Sequence, residues 1–303
     1  MKILLFGKNG QVGWELQRSL SSVGELVALD TDDQTPCGDF TRLEDIIQTI
    51  HSVSPDIIVN AAAYTAVDKA ESESVLAHTI NTKALKILAQ ESLKIGAWLV
   101  HYSTDYVFNG NGTKPWKETD PTTPINIYGS TKLEGEKAVI NSGCKHLIFR
   151  TSWVYSARGK NFIRTMIHLA QNREYLSVID DQIGAPTGAE LLADVTTHSI
   201  YTALKQPHVS GLYHLAAKGE TSWYGYANFV LDKARQSGIK LQVQAENIQP
   251  VTTDAFPQTA RRPGNSRLNT RKIEHTFDLT LPLWQTGVTR MLTEIFKKDY
   301  DPT

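Results

Sequence analysis

Apolar runs and helix-period segments alternate through the first half of the chain. Lys2 to Phe6, Leu26 to Leu29, Ile57 to Val59, Trp98 to Tyr102 and Leu147 to Phe149 read as strands. Between them, Val12 to Leu20, Leu43 to Val53 and Val75 to Leu93 carry apolar residues at helical spacing. Strands that alternate with helices predict right-handed crossovers and a parallel sheet with helices on both faces. The near-continuous apolar strands fit a sheet buried on both sides. After about Trp153 the pattern loosens. Short strands (Leu176 to Ile179, Leu212 to His214, Leu241 to Val243) mix with helices, and Val288 to Phe296 reads as a closing helix. The expectation is an α/β chain. A doubly wound Rossmann-type domain spans residues 1–153, and a smaller mixed α/β region spans 154–303 and is mainly substrate-binding. The chain has room to cross back between the two.

Composition narrows the function. With 303 residues, 41% hydrophobic and 21% charged, this is an ordinary globular chain. A net charge of -1 and the lack of a long basic stretch argue against nucleic acid or an anionic membrane as partner. No apolar run is long enough to cross a bilayer. Met1 and Lys2 lead directly into an apolar run and a glycine turn, which does not read as a secretion signal. Cys37 and Cys144 stand far apart and suggest reduced thiols. A cytoplasmic location follows as the expectation.

Candidate chemistry begins at Gly7-Lys8-Asn9-Gly10-Gln11-Val12-Gly13, between the first strand and the first helix. Glycine permits a tight turn and a close approach of backbone to pyrophosphate, whose charge the helix N-terminus stabilises. The same spacing also occurs in ordinary strand–helix turns; its place at the first crossover points to a dinucleotide. Asp30 ends the second strand, where a carboxylate accepts from ribose hydroxyls and favours NADH. It could equally be a solvated strand end, and Lys8 could offset the extra charge of NADPH. Asp39 and Phe40 sit where such folds hold adenine. Asn60-Ala61-Ala62-Ala63 ends the third strand with small residues, Tyr64 and Thr65 follow, and Tyr102 lies in the fourth strand.

A second anchor is Tyr128-Gly129-Ser130-Thr131-Lys132. On a helix, Tyr128 and Lys132 share one face. An ammonium there lowers the phenol's pKa and holds the nicotinamide ribose, and the phenol gives a proton to a carbonyl receiving hydride. Upstream, Ser103-Thr104-Asp105-Tyr106-Val107-Phe108 closes the fourth strand, and Thr104 polarises the same carbonyl. A second copy of the spacing, Tyr201 and Lys205, lacks such a strand end and reads as surface helix.

Glycine turn, strand-end Thr and Tyr-x-x-x-Lys, in that order, resemble the extended short-chain dehydrogenases. Arg150-Thr-Ser-Trp-Val-Tyr155, Asp181-Gln-Ile-Gly-Ala-Pro-Thr187, Arg261-Arg262-Pro263 and Leu268 bring the resemblance closer to the dTDP-4-dehydrorhamnose reductase family, over most of the chain. The resemblance implies that NADH or NADPH reduces carbon 4 of dTDP-4-dehydro-β-L-rhamnose, giving dTDP-L-rhamnose for surface polysaccharide such as O-antigen. It implies Tyr128 as proton donor, Lys132 and Thr104 as its helpers, and Thr104, Asp105 and Trp153 against the sugar. Trp153 could also be a buried junction residue, and Arg261 and Arg262 either clamp a diphosphate or are ordinary surface arginines. Tyr106 stands where related dehydratases carry a glutamate base, which favours reduction over elimination. The resemblance further implies a homodimer and Mg²⁺. Glu15, Glu190 and Asp194 are the candidate metal ligands, although a solvated acidic face would look the same. A 4-epimerase, another sugar-nucleotide 4-reductase and a non-catalytic regulatory subunit are the rival readings.

Overall fold

The computed structural model describes residues 1–298. Its first half runs β1 (Lys2–Phe6), α1 (Gln11–Leu20), β2 (Glu25–Leu29), α2 (Leu43–Val53), β3 (Ile57–Asn60), α3 (Val67–Ala70), α4 (Ser74–His78), α5 (Ala84–Ile95), β4 (Trp98–Thr104), α6 (Ile127–Ser142) and β5 (His146–Thr151). The second half runs β6 (Val154–Tyr155), α7 (Phe162–Asn172), β7 (Leu176–Ile179), β8 (Ile183–Gly184), β9 (Thr187–Gly188), α8 (Ala189–Lys205), β10 (Gly211–His214), β11 (Thr221–Ser222), α9 (Trp223–Gln236), β12 (Ile248–Val251), α10 (Arg271–Phe277) and α11 (Trp284–Lys298).

Six strands form one sheet in the order β10-β5-β4-β3-β1-β2, every neighbouring pair parallel. Strand side chains alternate between faces, and the two cores follow that alternation. Ile3, Leu5, Val59 and Val100 pack on one side with α1, α8 and α10. Leu4, Phe6, Ile58 and Leu99 pack on the other with α2, α5 and α6. The expected doubly wound sheet is therefore present. From the second half of the chain, α8 packs against α1, β10 pairs with β5 at the sheet edge, and α10 packs beneath them. A smaller lobe forms around α7, α9 and α11 with the two-stranded pair β7–β12.

Two expectations are corrected. Leu241 to Val243 is not a strand; the backbone amides of Gln242 and Val243 both donate to the Ala170 carbonyl near the end of α7, and β12 supplies the partner of β7 instead. The long helix over Val75 to Leu93 is broken by a π turn at Thr79–Lys83. There Asn81 turns inward, accepting from the Tyr64 amide and donating to Thr131, so a polar core contact replaces regular helix.

Candidate active site

The strand ends, the glycine turn and the start of α6 enclose a cleft of about 760 Å³, within the size range of ligand sites. Gly7 begins the turn at φ +85°, and a side chain there would meet the Ala62 amide. A Cβ on Gly13 would stand 1.8 Å from the Gly7 carbonyl oxygen. These glycines let α1 and β3 close on the turn. Gly10 caps α1 without a side-chain hydrogen bond, which leaves the first helical N–H groups facing the cleft. Such a cradle fits a dinucleotide pyrophosphate.

Gly7, Gly10, Gln11, Val12, Asp30, Asp39, Phe40, Ala63, Thr65 and Tyr102 all line this cleft. Gly13 and Tyr64 do not: Gly13 lies behind the turn, and the Tyr64 phenol donates to Glu73. Asp30 already accepts from the amides of Asn9 (2.9 Å) and Thr31 (2.8 Å). Lys8 is paired with Asp33 at 2.6 Å, not left free for a phosphate. Tyr102 presents its backbone; its phenol points away to Thr196 at 2.6 Å.

Thr104, Asp105, Tyr128, Lys132 and Trp153 line the same cleft. Asn126 starts α6 by accepting from the Gly129 amide at 2.7 Å, a side-chain cap. Gly129 has no room for a Cβ, which would lie 2.2 Å from the Tyr106 carbonyl oxygen. The helix thus meets the turn after β4, and Tyr128 comes to Thr104 and packs edge-on against Tyr106 (ring centroids 5.5 Å apart). Burial pushes the Tyr128 phenol up to about 12, against which Thr104 works through its hydroxyl. Burial also lowers Lys132 to about 7, although Glu136 one turn on favours its charge. Lys132 donates to the Tyr102 carbonyl at 2.7 Å and faces His101 Nε2 at 3.1 Å. Asp105, 2% exposed, is pushed by burial up to about 7, with Ser266 and Thr104 opposing. Thr104 donates to one of its oxygens at 3.1 Å, and Ser266 is the other hydroxyl beside the carboxyl.

Sequence reasoning missed Trp223, whose ring stacks on Trp153 at 3.7 Å and also lines the cleft. It missed His101 as well. Trp153 itself adopts φ +50°, a conformation rare for a bulky residue. Tyr201 lies on α8, 45% exposed and outside the cleft, as expected of a surface copy. Arg262 is held by Asp68 through two bonds, and the Arg261 carbonyl accepts from Asn126.

The sequence matches the RmlD substrate binding domain family over residues 1–296. It is 58% identical over 296 residues to the dTDP-4-dehydrorhamnose reductase of Salmonella typhimurium, covering 98% of each chain. The chain belongs to the dTDP-4-dehydrorhamnose reductase family. Among solved structures, the Clostridium acetobutylicum family member superposes with TM-score 0.86 at 35% identity, covering 97% of this chain and 99% of that one. The Bacillus anthracis family member, solved in complex with NADP, superposes with TM-score 0.85 at 34% identity and the same coverage.

One expectation drawn from the family resemblance does not fit. Among the described residues, no group of three or more His, Cys, Asp or Glu side chains is placed to hold a metal. Arg18 pairs with both Glu15 (3.3 Å) and Asp194 (2.8 Å), so two of the three candidate carboxylates already hold a guanidinium. No step below runs through Mg²⁺.

Proposed function

We propose that the chain reduces the 4-keto group of dTDP-4-dehydro-β-L-rhamnose to give dTDP-L-rhamnose for surface polysaccharide. The observation that carries this reading is the meeting of Tyr128 and Thr104 in the cleft that the glycine turn also lines. A bound NADH or NADPH supplies the hydride. Gly7, Gly10 and the first amides of α1 hold its pyrophosphate, with Asp30 toward the ribose and Phe40 toward the adenine. Asp30 favours NADH; NADPH gains a cation only when the Lys8–Asp33 pair opens.

A phenol held near 12 keeps its proton at neutral pH. Tyr128 therefore serves as an acid that yields its proton only to an oxygen gaining negative charge. Thr104 adds a second hydroxyl donor once it turns from Asp105. Tyr106, a phenol pressed against Tyr128, provides no carboxylate to take a proton from carbon, which leaves reduction and disfavours elimination. Trp153, backed by Trp223, gives an apolar face to the sugar ring. Asp105, which lines the cleft, binds sugar hydroxyls through its carboxyl.

Among the described residues no helix is long and apolar enough to cross a membrane; a cytoplasmic homodimer is proposed from the family resemblance alone.

The test is Tyr128→Phe, assayed by NADPH absorbance with dTDP-4-dehydro-L-rhamnose. Loss of a general acid lowers kcat/KM by about 10²- to 10⁴-fold, while the Kd for NADPH stays near that of the parent. Turnover unchanged in that variant removes Tyr128 as the proton donor.

A further inference from the structure

The second strand ends against the glycine turn, and backbone hydrogen bonds fix how the two meet. The amides of Gly7 and Lys8 donate to the Leu29 carbonyl at 2.8 and 3.2 Å, and the Asn9 amide donates to the Asp30 carboxylate at 2.9 Å. The loop that follows closes on itself. The Asp33 amide donates to the Asp30 carbonyl at 3.0 Å, and the Asp30 amide donates back to Asp33 Oδ2 at 2.7 Å. That same Asp33 oxygen meets the Lys8 ammonium at 2.6 Å. The Asp33 carboxylate is therefore placed by backbone and not by the reach of a flexible side chain. Lys8 holds its carboxyl below the usual carboxylate value, so it is ionised at neutral pH.

NADH and NADPH differ only at the adenosine 2′-oxygen, which the carboxylate ending the second strand contacts in sites of this kind. A 2′-hydroxyl needs an acceptor, and Asp30 lines the cleft to supply one. A 2′-phosphate is a dianion and needs cations or N–H donors. Here it would meet two carboxylates. Among the described residues, both cations bonded to this loop are already paired: Lys8 with Asp33, and Arg42, which donates to Gln34, with Asp45. If Lys8 swung to the phosphate, Asp33 would stay behind, held by the Asp30 amide, as a bare carboxylate beside the added charge.

We propose that Asp33 sets this chain's preference for NADH over NADPH, by holding the Lys8 ammonium and by fixing a second carboxylate next to Asp30. Asp30 accepts from the ribose; Asp33 excludes the phosphate. Discrimination of this sort works by repelling the wrong ligand, and it leaves the contacts of NADH untouched. The inference deepens the reductase reading but rests only on its dinucleotide half, because the sugar takes no part.

The test is binding of NADH and NADPH to the full chain without sugar, followed by energy transfer from tryptophan to the reduced nicotinamide. In the parent the Kd for NADH should be lower than that for NADPH by about tenfold or more, the scale of a like-charge contact. Asp33→Asn keeps an oxygen for the Asp30 amide, removes one charge and releases Lys8. NADPH should then bind about tenfold or more tightly than in the parent, with NADH within about twofold of its parent value. Adding Lys8→Met should take back about threefold or more of that gain, the range of one exposed ion pair. A parent that binds NADPH as tightly as NADH overturns the proposal, and so does an Asp33→Asn variant with an unchanged ratio. Equal weakening of both cofactors in that variant makes Asp33 a loop tie only, which also overturns it. A double variant that keeps the whole gain removes Lys8 from the explanation and overturns it too. If Asp33→Asn fails to fold, the ratio in the parent still decides. A parent with the expected ratio that reduces no keto-sugar leaves this proposal standing and removes the reductase reading. Keto-sugar reduction with NADPH preferred does the reverse.

Discussion

Lys132 should make the cofactor-free protein less stable than it could be, and the penalty should depend on pH in a defined direction. Its side chain is 2% exposed, and burial lowers its folded-state value to about 7. In an unfolded chain the same group titrates near ~10.4. Between those values the unfolded state holds the proton and the folded state does not, so stability rises with pH across that window. Below about 7 both states are protonated and the cost of a buried ammonium is fully present. From pH 6 to pH 9 the penalty falls over roughly two pH units, worth about 2–3 kcal/mol at ~1.4 kcal/mol per unit. Lys132→Met fills the space without the charge. It forfeits the bonds to the Tyr102 carbonyl and His101, a loss of about 1–3 kcal/mol that is similar at both pH values and cancels in the comparison. Urea unfolding of both proteins at pH 6 and pH 9, followed by tryptophan fluorescence, measures the difference. The variant's stability relative to the parent should be about 2–3 kcal/mol more favourable at pH 6 than at pH 9. A difference that does not change with pH, or that grows toward pH 9, would refute the argument that burial holds Lys132 neutral.

Other perturbations test other parts of the site. Gly13→Ala puts a methyl 1.8 Å from the Gly7 carbonyl oxygen; at about 1–3 kcal/mol for such overpacking the Kd for NADPH should rise about tenfold or more, and an unchanged Kd would show that the turn does not need this close approach. Glu136→Leu strands the Arg150 guanidinium, whose side chain is 5% exposed, and should cost about 3–5 kcal/mol in a denaturant melt; adding Arg150→Met should recover much of it, and a single variant as stable as the parent would contradict the pairing. Trp223→Ala removes the ring stacked on Trp153. The loss of about 0.5–1.5 kcal/mol should raise KM for the sugar nucleotide about two- to tenfold while kcat changes less, and an equal fall in kcat with KM unmoved would argue against a substrate-facing wall.

What could be read from the sequence is what local spacing enforces. The glycine turn works because strand, turn and helix are consecutive, so its chemistry is legible in seven residues. Tyr128 and Lys132 share a face because a four-residue step is just over one helical turn. Even the junction of α6 with the strand end left a local sign: Gly129, inside the motif, is the residue that lets the helix approach Tyr106. The second lobe was less legible because its strands are two to four residues long and gain their partners from distant segments. Leu241 to Val243 has strand-like composition, yet its amides are used to finish a helix. The acidic trio failed as a metal site for the same reason in reverse. Nothing near Glu190 in sequence announces that Arg18, from the first helix, will pair with both Glu15 and Asp194.

The sharpest divergence concerns charge. A Tyr-x-x-x-Lys spacing implies an ammonium beside a phenol, and this holds wherever the lysine keeps its proton. Whether it does is decided by solvent exclusion and by the direction of neighbouring hydrogen bonds, neither of which is a property of the motif. In the fourth strand His101 looks like an interruption of an apolar run. In the sheet it faces Lys132 through one ring nitrogen and Asn60 through the other. The polar floor beneath Lys132 is therefore a consequence of sheet register, because only the alignment of β3 with β4 brings Asn60 to His101.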